Sequence, residues 1–170
     1  MARHTVDLSQ WTCLPVGDAS CFVARSKYDI TRDFVREINP EITTIFIKEI
    51  FCSYPKNKVV NITFLPDECT DRLVDAFVRR RFGVVIHPLV MGILHEVGHI
   101  MTYNEQLARE RAIIYYMLRL DFDYNRFYEF TNMYFAIPSE FEATRWGVEY
   151  YLSHKEQCDN FLKEIGYEVE

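Results

Sequence analysis

The hydrophobic pattern of the N-terminal third of the chain predicts one helix and two strands. The helix runs from Asp29 to Ile38 and ends at Asn39-Pro40, because a residue before proline is displaced from the helical region. Ile42–Phe51 and Lys58–Leu65 are rich in β-branched and aromatic residues and flank a turn-like segment at Ser53–Asn57. Apolar and polar positions alternate in the second run, as in a half-buried strand. We therefore predict a β-hairpin here.

Beyond Pro66 no segment alternates convincingly, and helix-forming residues dominate to the end of the chain. The predicted helices are Asp71–Arg81, Pro88 to about Tyr103, Leu107–Leu120, Tyr124–Phe135 and Ser139 to about Ser153. Residues 1–28 are interpreted as irregular chain or short strands. The pattern as a whole predicts an α+β fold in a single domain spanning residues 1–170, with a small antiparallel sheet followed by a mostly helical C-terminal part.

The helix that begins at Pro88 carries the pentapeptide His95-Glu96-Val97-Gly98-His99, an HExxH pattern. Residues i and i+4 share one face of a helix, so His95 and His99 can present two imidazole nitrogens to a single metal ion. Glu96 lies at the flank, where its carboxylate can accept a proton from a water molecule activated by the metal. The rest of this helix already supplies a full apolar face, so burying these three polar residues without partners would be costly. We therefore predict a zinc site.

A catalytic zinc requires a third protein ligand and an open position for water. Glu140 is the favoured candidate, because it shares a helical face with three small residues and that face can approach the HExxH helix closely. Gly98 would assist the approach from the other helix. The small residues are Ala143, Thr144 and Gly147.

Glu142 is the alternative third ligand. It follows Ser139 by three residues, the spacing of a capping box, which offers a structural role for its carboxylate instead. Glu105 is a more distant candidate. The histidines outside the HExxH pattern have no ligand spacing, and they are His4, His87 and His154.

Composition excludes several classes of function. The 19 basic and 25 acidic residues give a net charge of −6, which argues against nucleic-acid binding. No apolar run is long enough to span a bilayer, and Met1–Leu14 lacks the layout of a signal peptide, so we expect a cytoplasmic protein that does not bind membranes. The five cysteines are scattered without a C-x-x-C pair, which predicts reduced thiols.

The two motifs together resemble a known group. An HExxH followed some forty residues later by Glu140-Phe141-Glu142-Ala143-Thr144-Arg145-Trp146-Gly147 is similar to the gluzincin metallopeptidases, and most similar to the ImmA/IrrE-type proteins of bacteria, phages and mobile elements. The resemblance implies a minimal zincin-like domain. Related peptidases with an E-F-x-A-D helix bind zinc through its first Glu, which also favours Glu140. Thr144 departs from the family pattern, which has Asn or Asp there to support a ligating histidine.

These observations lead to the hypothesis of a zinc metallopeptidase, with Glu96 as the general base and zinc held by His95, His99 and Glu140. The substrate would be a protein or peptide, which could add as a strand to the edge of the predicted hairpin. The donor that assists the scissile carbonyl stays open among Tyr103, Tyr150, Tyr151 and His154. The alternative is a non-catalytic interaction protein, such as a phage effector or structural component, that retains the zincin fold. The oligomeric state is not predicted.

Overall fold

The computed structural model describes residues 11–16, 19–24, 26–47, 51–64, 68–120 and 127–168. Within these ranges the strands are β1 (Trp11–Val16), β2 (Ala19–Ala24), β3 (Thr43–Phe46), β4 (Cys52–Tyr54) and β5 (Val59–Ile62). The helices are α1 (Lys27–Ile38), α2 (Glu68–Phe82), α3 (Pro88–Met101), α4 (Glu105–Leu120), α5 (Phe127–Phe135), α6 (Pro138–Ser153) and α7 (Lys155–Glu164). The predicted α+β class, with the strands preceding most of the helices, is confirmed.

The three-stranded sheet has the order β3-β5-β4 and is mixed. β4 and β5 form an antiparallel hairpin through a 3-10 turn at Pro55–Asn57, whereas β3, the strand within the Ile42–Phe51 run, is parallel to β5. The predicted hairpin between the Ile42–Phe51 and Lys58–Leu65 runs was therefore wrong, because its place is taken by β4, which lies largely in the segment predicted to be the turn. The prediction of a wholly antiparallel sheet was therefore wrong for β3. The predicted half-buried strand is also more buried than expected, because β5 is the central strand and Val60, Asn61 and Ile62 are buried on both of its faces. Alternation along a strand carries no information on the direction of the neighbouring strand. A separate two-stranded antiparallel hairpin is formed by β1 and β2.

The helix boundaries follow local signals that the sequence carries. The side chain of Ser26 caps α1 by accepting a hydrogen bond from the Asp29 backbone N–H, and the helix ends before Asn39-Pro40. Pro88 and Pro138 each occupy the first turn of a helix, where the missing N–H has no intrahelical partner to lose. The predicted helices are confirmed to within about one turn where the structure describes them, and residues 124–126 of the predicted Tyr124–Phe135 helix lie outside the described residues.

Helix α3 lies at the centre of the core. Val90, Ile93, Leu94 and Val97 are fully buried on it, and it packs against β4 and β5 on one side and against α6 on the other. The central position explains why α3 is apolar on nearly all sides outside its two histidines and Glu96. None of the helices in the described ranges has the length and apolar character needed to cross a bilayer.

Two glycines allow α3 and α6 to cross at close range. A Cβ atom added at Gly98 would lie 2.4 Å from the backbone oxygen of Ala143, and one at Gly147 would lie 2.9 Å from the terminal methyl of Met91. Neither position therefore has room for a larger side chain without displacing its neighbour. The small-residue contact predicted between the HExxH helix and the Glu140 face is present.

Candidate metal centre

The crossing of α3 and α6 brings together the side chains of His95, His99 and Glu140. Both histidines are 6% exposed and Glu140 is completely buried. Glu140 Oε2 lies 3.1 Å from His95 Nε2 and 3.2 Å from His99 Nε2, so one carboxylate oxygen faces both imidazole rings. Glu140 thus forms a single buried cluster with two histidines that precede it in the chain by 45 and 41 positions.

The cluster has the composition and spacing of a metal site. One ligand atom from each residue can be chosen so that all three lie within 4.8 Å of one another. Ligand atoms of a tetrahedral zinc stand about 2.1 Å from the ion and therefore roughly 3.4 Å from each other, a little more than the separations between Glu140 Oε2 and the two Nε2 atoms. Two imidazoles and a carboxylate leave a fourth position open. The three residues therefore fit a divalent metal ion.

Electrostatics favour an ionised Glu140. Burial by itself would raise the pKa of this carboxyl, but the hydrogen bonds and charges of His95 and His99 lower it well below its usual range. The second oxygen, Oε1, is in ionic contact with Arg111 Nε. Arg111 therefore balances the charge of the buried carboxylate on one side, while Oε2 faces the two imidazoles on the other.

Thr144 orients the first histidine from behind. Its hydroxyl donates to the Glu140 backbone oxygen at 2.8 Å, so its oxygen is free to accept from the His95 Nδ1–H, which lies 3.0 Å away. A proton on Nδ1 leaves the lone pair on Nε2, the atom that faces Glu140. The Thr144 hydroxyl is thus placed to fix the tautomer and the orientation of the His95 ring.

Replacing Thr144 with Val should weaken metal binding by about 10- to 100-fold with little change in shape, because the His95 N–H loses its acceptor. Thr144→Ser keeps the hydroxyl and should restore affinity. Thr31→Val is a matched control, since Thr31 is also fully buried and donates to a carbonyl four residues earlier, but on α1. Competition with a chromophoric zinc chelator measures the affinity. Equal affinities for Thr144→Val and Thr31→Val would contradict the assignment.

Glu142 does not reach the metal ligands. Its carboxylate pairs with Arg145 near the surface of α6. The predicted capping box is also absent, because Ile137 is the residue that precedes the helix and Ser139 lies inside it with a buried hydroxyl that has no partner among the described residues. A proline at the first helical position moved the helix start two residues earlier than the capping-box spacing requires. Glu105, the third candidate, is exposed and pairs with Lys56 and Arg109.

Zinc retention separates Glu140 from Glu142. Glu140→Ala should lower the affinity for zinc by more than 100-fold. Removal of a residue that only supports a ligand lowers the affinity by up to about 100-fold, and this change removes a ligand itself. Glu142→Ala removes a partly exposed ion pair and should keep zinc, with a change in the free energy of unfolding below about 1 kcal/mol. Elemental analysis after dialysis provides the measurement, with circular dichroism to verify folding. Metal kept by Glu140→Ala and lost by Glu142→Ala would reverse the assignment.

Glu96 lies in the same turn as the two histidines and is 8% exposed. It is not part of the ligand cluster, and its side chain lines a cleft of about 430 Å³ between β4 and α4. The other lining residues are Phe51, Cys52, Ser53, Ala108, Arg111, Ala112, Tyr115 and Tyr134. β4 pairs with β5 on one side only, so within the part of the chain that is described its other edge is available beside Glu96.

Arg111 and Tyr134 are the two residues of the site that sequence reasoning missed. Arg111 on α4 contacts Glu140 through Nε, and its Nη2 donates to the Tyr134 hydroxyl at 3.2 Å. Burial, together with the charge of Glu140, raises the pKa of Tyr134. Neither residue belongs to a motif. An arginine in the middle of an amphipathic helix ordinarily indicates a solvated face, so no sequence signal distinguished it.

The four donors considered from the sequence lie elsewhere. Tyr150 donates to Gln157 and stacks on His154, which is exposed at the end of α6. Tyr151 packs beside Lys155 at the junction with α7, and Tyr103 interacts with Lys56. For Tyr150, Tyr151 and His154, proximity in sequence to Glu140 was a poor guide to proximity in space, because they lie about three helical turns further along α6 or at its end.

Comparison with protein-family models, with curated proteins and with solved structures finds no match for this chain. The resemblance to ImmA/IrrE-type proteins consequently stands on the HExxH segment and the segment from Glu140 to Gly147. What the site can do has to be argued from its own side chains and their surroundings. The coarse conclusion is a buried His-His-Glu group that could hold a metal ion.

Proposed function

We propose that this protein is a zinc-dependent peptidase. The observation that carries the proposal is the convergence of His95, His99 and Glu140 on one point, with Glu96 beside them in a cleft and outside the ligand set. A purely structural zinc site is normally closed by four protein ligands, whereas a catalytic site keeps one position open. Two imidazoles, one carboxylate and an adjacent free carboxylate correspond to the catalytic arrangement.

Zinc is the proposed metal because this donor set of two histidines and one glutamate suits it. When bound, zinc would lower the pKa of a water molecule and polarise the carbonyl of a substrate. Glu96 would take the proton of the attacking water and later deliver it to the leaving amine. His95 and His99 must stay neutral to serve as ligands, and the Thr144 hydroxyl favours the required tautomer of His95.

The substrate is proposed to be an extended segment of a protein or peptide. An extended chain can add to the free edge of β4 through backbone hydrogen bonds, which bind without regard to sequence. Ser53 and Glu96 border the same cleft, so a strand lying along β4 would pass beside the general base. Side chains of the substrate would then contact Phe51 and the small residues Ala108 and Ala112.

The resemblance to ImmA/IrrE-type proteins makes a role in a phage or mobile element, inside the cytoplasm, part of the proposal.

The competing function is a non-catalytic interaction protein that retains this fold. The observation in its favour is an apolar surface on α4, where Ile113, Tyr116 and Met117 are each more than 60% exposed. Such a surface is compatible with either role, since a peptidase also has to hold its substrate.

The first experiment is to purify the protein without chelator and measure its metal content. We expect about one zinc per chain, and cleavage of peptides in a proteome-derived library that stops on chelation and returns with added zinc. Protein that is free of metal and remains so after zinc is supplied would disprove the proposal. If the zinc-loaded protein cleaves no peptide, the result would favour the non-catalytic interaction role.

A further inference from the structure

We infer that Arg111 and Tyr134 form the donor pair that holds the carbonyl oxygen of the substrate as it becomes negatively charged. The inference rests on the proposed peptidase function and assigns the one catalytic role that the sequence could not place. Both residues line the cleft that contains Glu96, and no other cationic side chain of the described residues borders it.

Arg111 is held by two contacts that leave some of its N–H donors without a partner. Its Nε lies against Glu140 and its Nη2 donates to Tyr134, while Nη1 has no hydrogen-bond partner among the described residues. A guanidinium carries five N–H donors in a rigid plane, so anchoring two nitrogens directs the remaining donors. The side chain is 40% exposed although its partner Glu140 is completely buried, so its outer edge is accessible from the cleft.

Tyr134 complements this arrangement. Because its oxygen accepts a hydrogen bond from Arg111, its own hydroxyl proton is free to be donated to a ligand. The ring is held between Tyr115 and Phe135 at centroid distances of 5.8 and 5.3 Å, and Phe135 in turn contacts the ring of His95 at 5.8 Å. The hydroxyl is thus positioned by the same packing that positions a metal ligand. Its raised pKa means that it keeps the proton it would donate.

The charges of the site indicate why such donors are needed. Glu96 lines the cleft and the buried Glu140 contacts Arg111 at its edge, so a further negative charge developing on the substrate would be disfavoured by the fields of both carboxylates. A fixed cation and a fixed hydroxyl that are already in place can oppose this without reorganising. A purely structural role for Arg111, as the counter-ion of Glu140, predicts something different. In that case, removing the Tyr134 hydroxyl that Arg111 contacts would leave kcat unchanged.

The test is steady-state kinetics on a peptide that the zinc-loaded wild type cleaves. Tyr134→Phe should lower kcat by about 100-fold with KM and zinc content unchanged, because the lost donor acts in the transition state. Arg111→Lys should also lower kcat. Tyr150→Phe is the matched control, since it removes a hydroxyl in the C-terminal half of α6 that donates to Gln157 on α7, and its kinetics should equal those of the wild type.

The outcomes separate this inference from the function on which it rests. An unchanged kcat in Tyr134→Phe, in a protein whose Glu96→Gln variant is inactive, overturns the inference and leaves the peptidase standing. A rise in KM alone would also overturn it, because it assigns Tyr134 to ground-state binding. If zinc-loaded wild type cleaves no peptide, the proposed function itself fails and the inference fails with it.

Discussion

Replacing Glu96 with Gln is expected to reduce peptide hydrolysis by about 10²- to 10⁴-fold while zinc stays bound at about one ion per chain. The amide is nearly the same size and shape as the carboxylate, so the buried turn that contains Glu96 should pack unchanged. What it lacks is the ability to take a proton from water. Hydrolysis of a library-derived peptide and elemental analysis of the same sample measure the two quantities together.

Glu149→Gln provides the matched control for this change. Glu149 is exposed on α6, and its carboxylate is 3.8 Å from Arg145, so its loss should affect neither zinc nor turnover. If zinc-loaded Glu96→Gln produces the full biological effect of wild type, such as a growth phenotype on expression, and neither protein cleaves a peptide, the peptidase proposal is wrong. The non-catalytic interaction role would then account for the protein.

Gly98→Ala should destabilise the protein strongly and weaken metal binding. The new methyl group would sit 2.4 Å from the Ala143 backbone oxygen, which cannot move without displacing α6 and the Glu140 carried on it. Overpacking of this kind costs about 3 kcal/mol, and the better helix propensity of alanine offsets about 1 kcal/mol of it. We expect a net loss of roughly 2 kcal/mol, seen as a fall in Tm of about 4–8 °C.

Gly92→Ala is the comparison for Gly98→Ala on the same helix. A Cβ at Gly92 would meet the ring of Phe51 at 3.1 Å, and a side chain of this kind can move by the few tenths of an ångström required. Its Tm should therefore stay close to that of wild type, and zinc should be retained. Gly98→Ala with wild-type stability and zinc affinity would show that the close helix crossing does not position the third ligand.

The choice of Glu140 over Glu142 shows that helical periodicity can identify which of two nearby carboxylates faces the neighbouring helix. Two residues apart on a helix, the carboxylates point in directions about 160° apart, so only one can face the partner helix. The small residues on the Glu140 face indicated which helix face is buried, and the structure brings that face against α3. The capping-box interpretation of Glu142 failed because the helix starts at Pro138, which the local spacing of Ser139 and Glu142 does not reveal.

Arg111 and Tyr134 illustrate the limit of the same reasoning. They lie on α4 and α5, and their meeting with Glu140 depends on how these helices pack against α6. Helical periodicity identifies the residues that share a face, but it does not specify the rotation of one helix relative to another. The parallel pairing of β3 with β5 was unpredictable for a related reason. It arises because β3 lies beside β5 rather than beside β4, and the sequence does not specify which of the two strands β3 pairs with.

The sequence by itself determined what is local in this protein. The prolines that begin α3 and α6, the β-branched residues of β5, the pairing of His95 with His99 on one face and the small-residue face around Glu140 are all features of residues a few positions apart. Tertiary structure alone decided that Glu140 Oε2 faces both imidazoles, that Thr144 supports His95, and that Arg111 and Tyr134 border the cleft with Glu96. The physical reason is that these contacts join side chains from different helices, and their geometry is set by the packing of the whole core around α3.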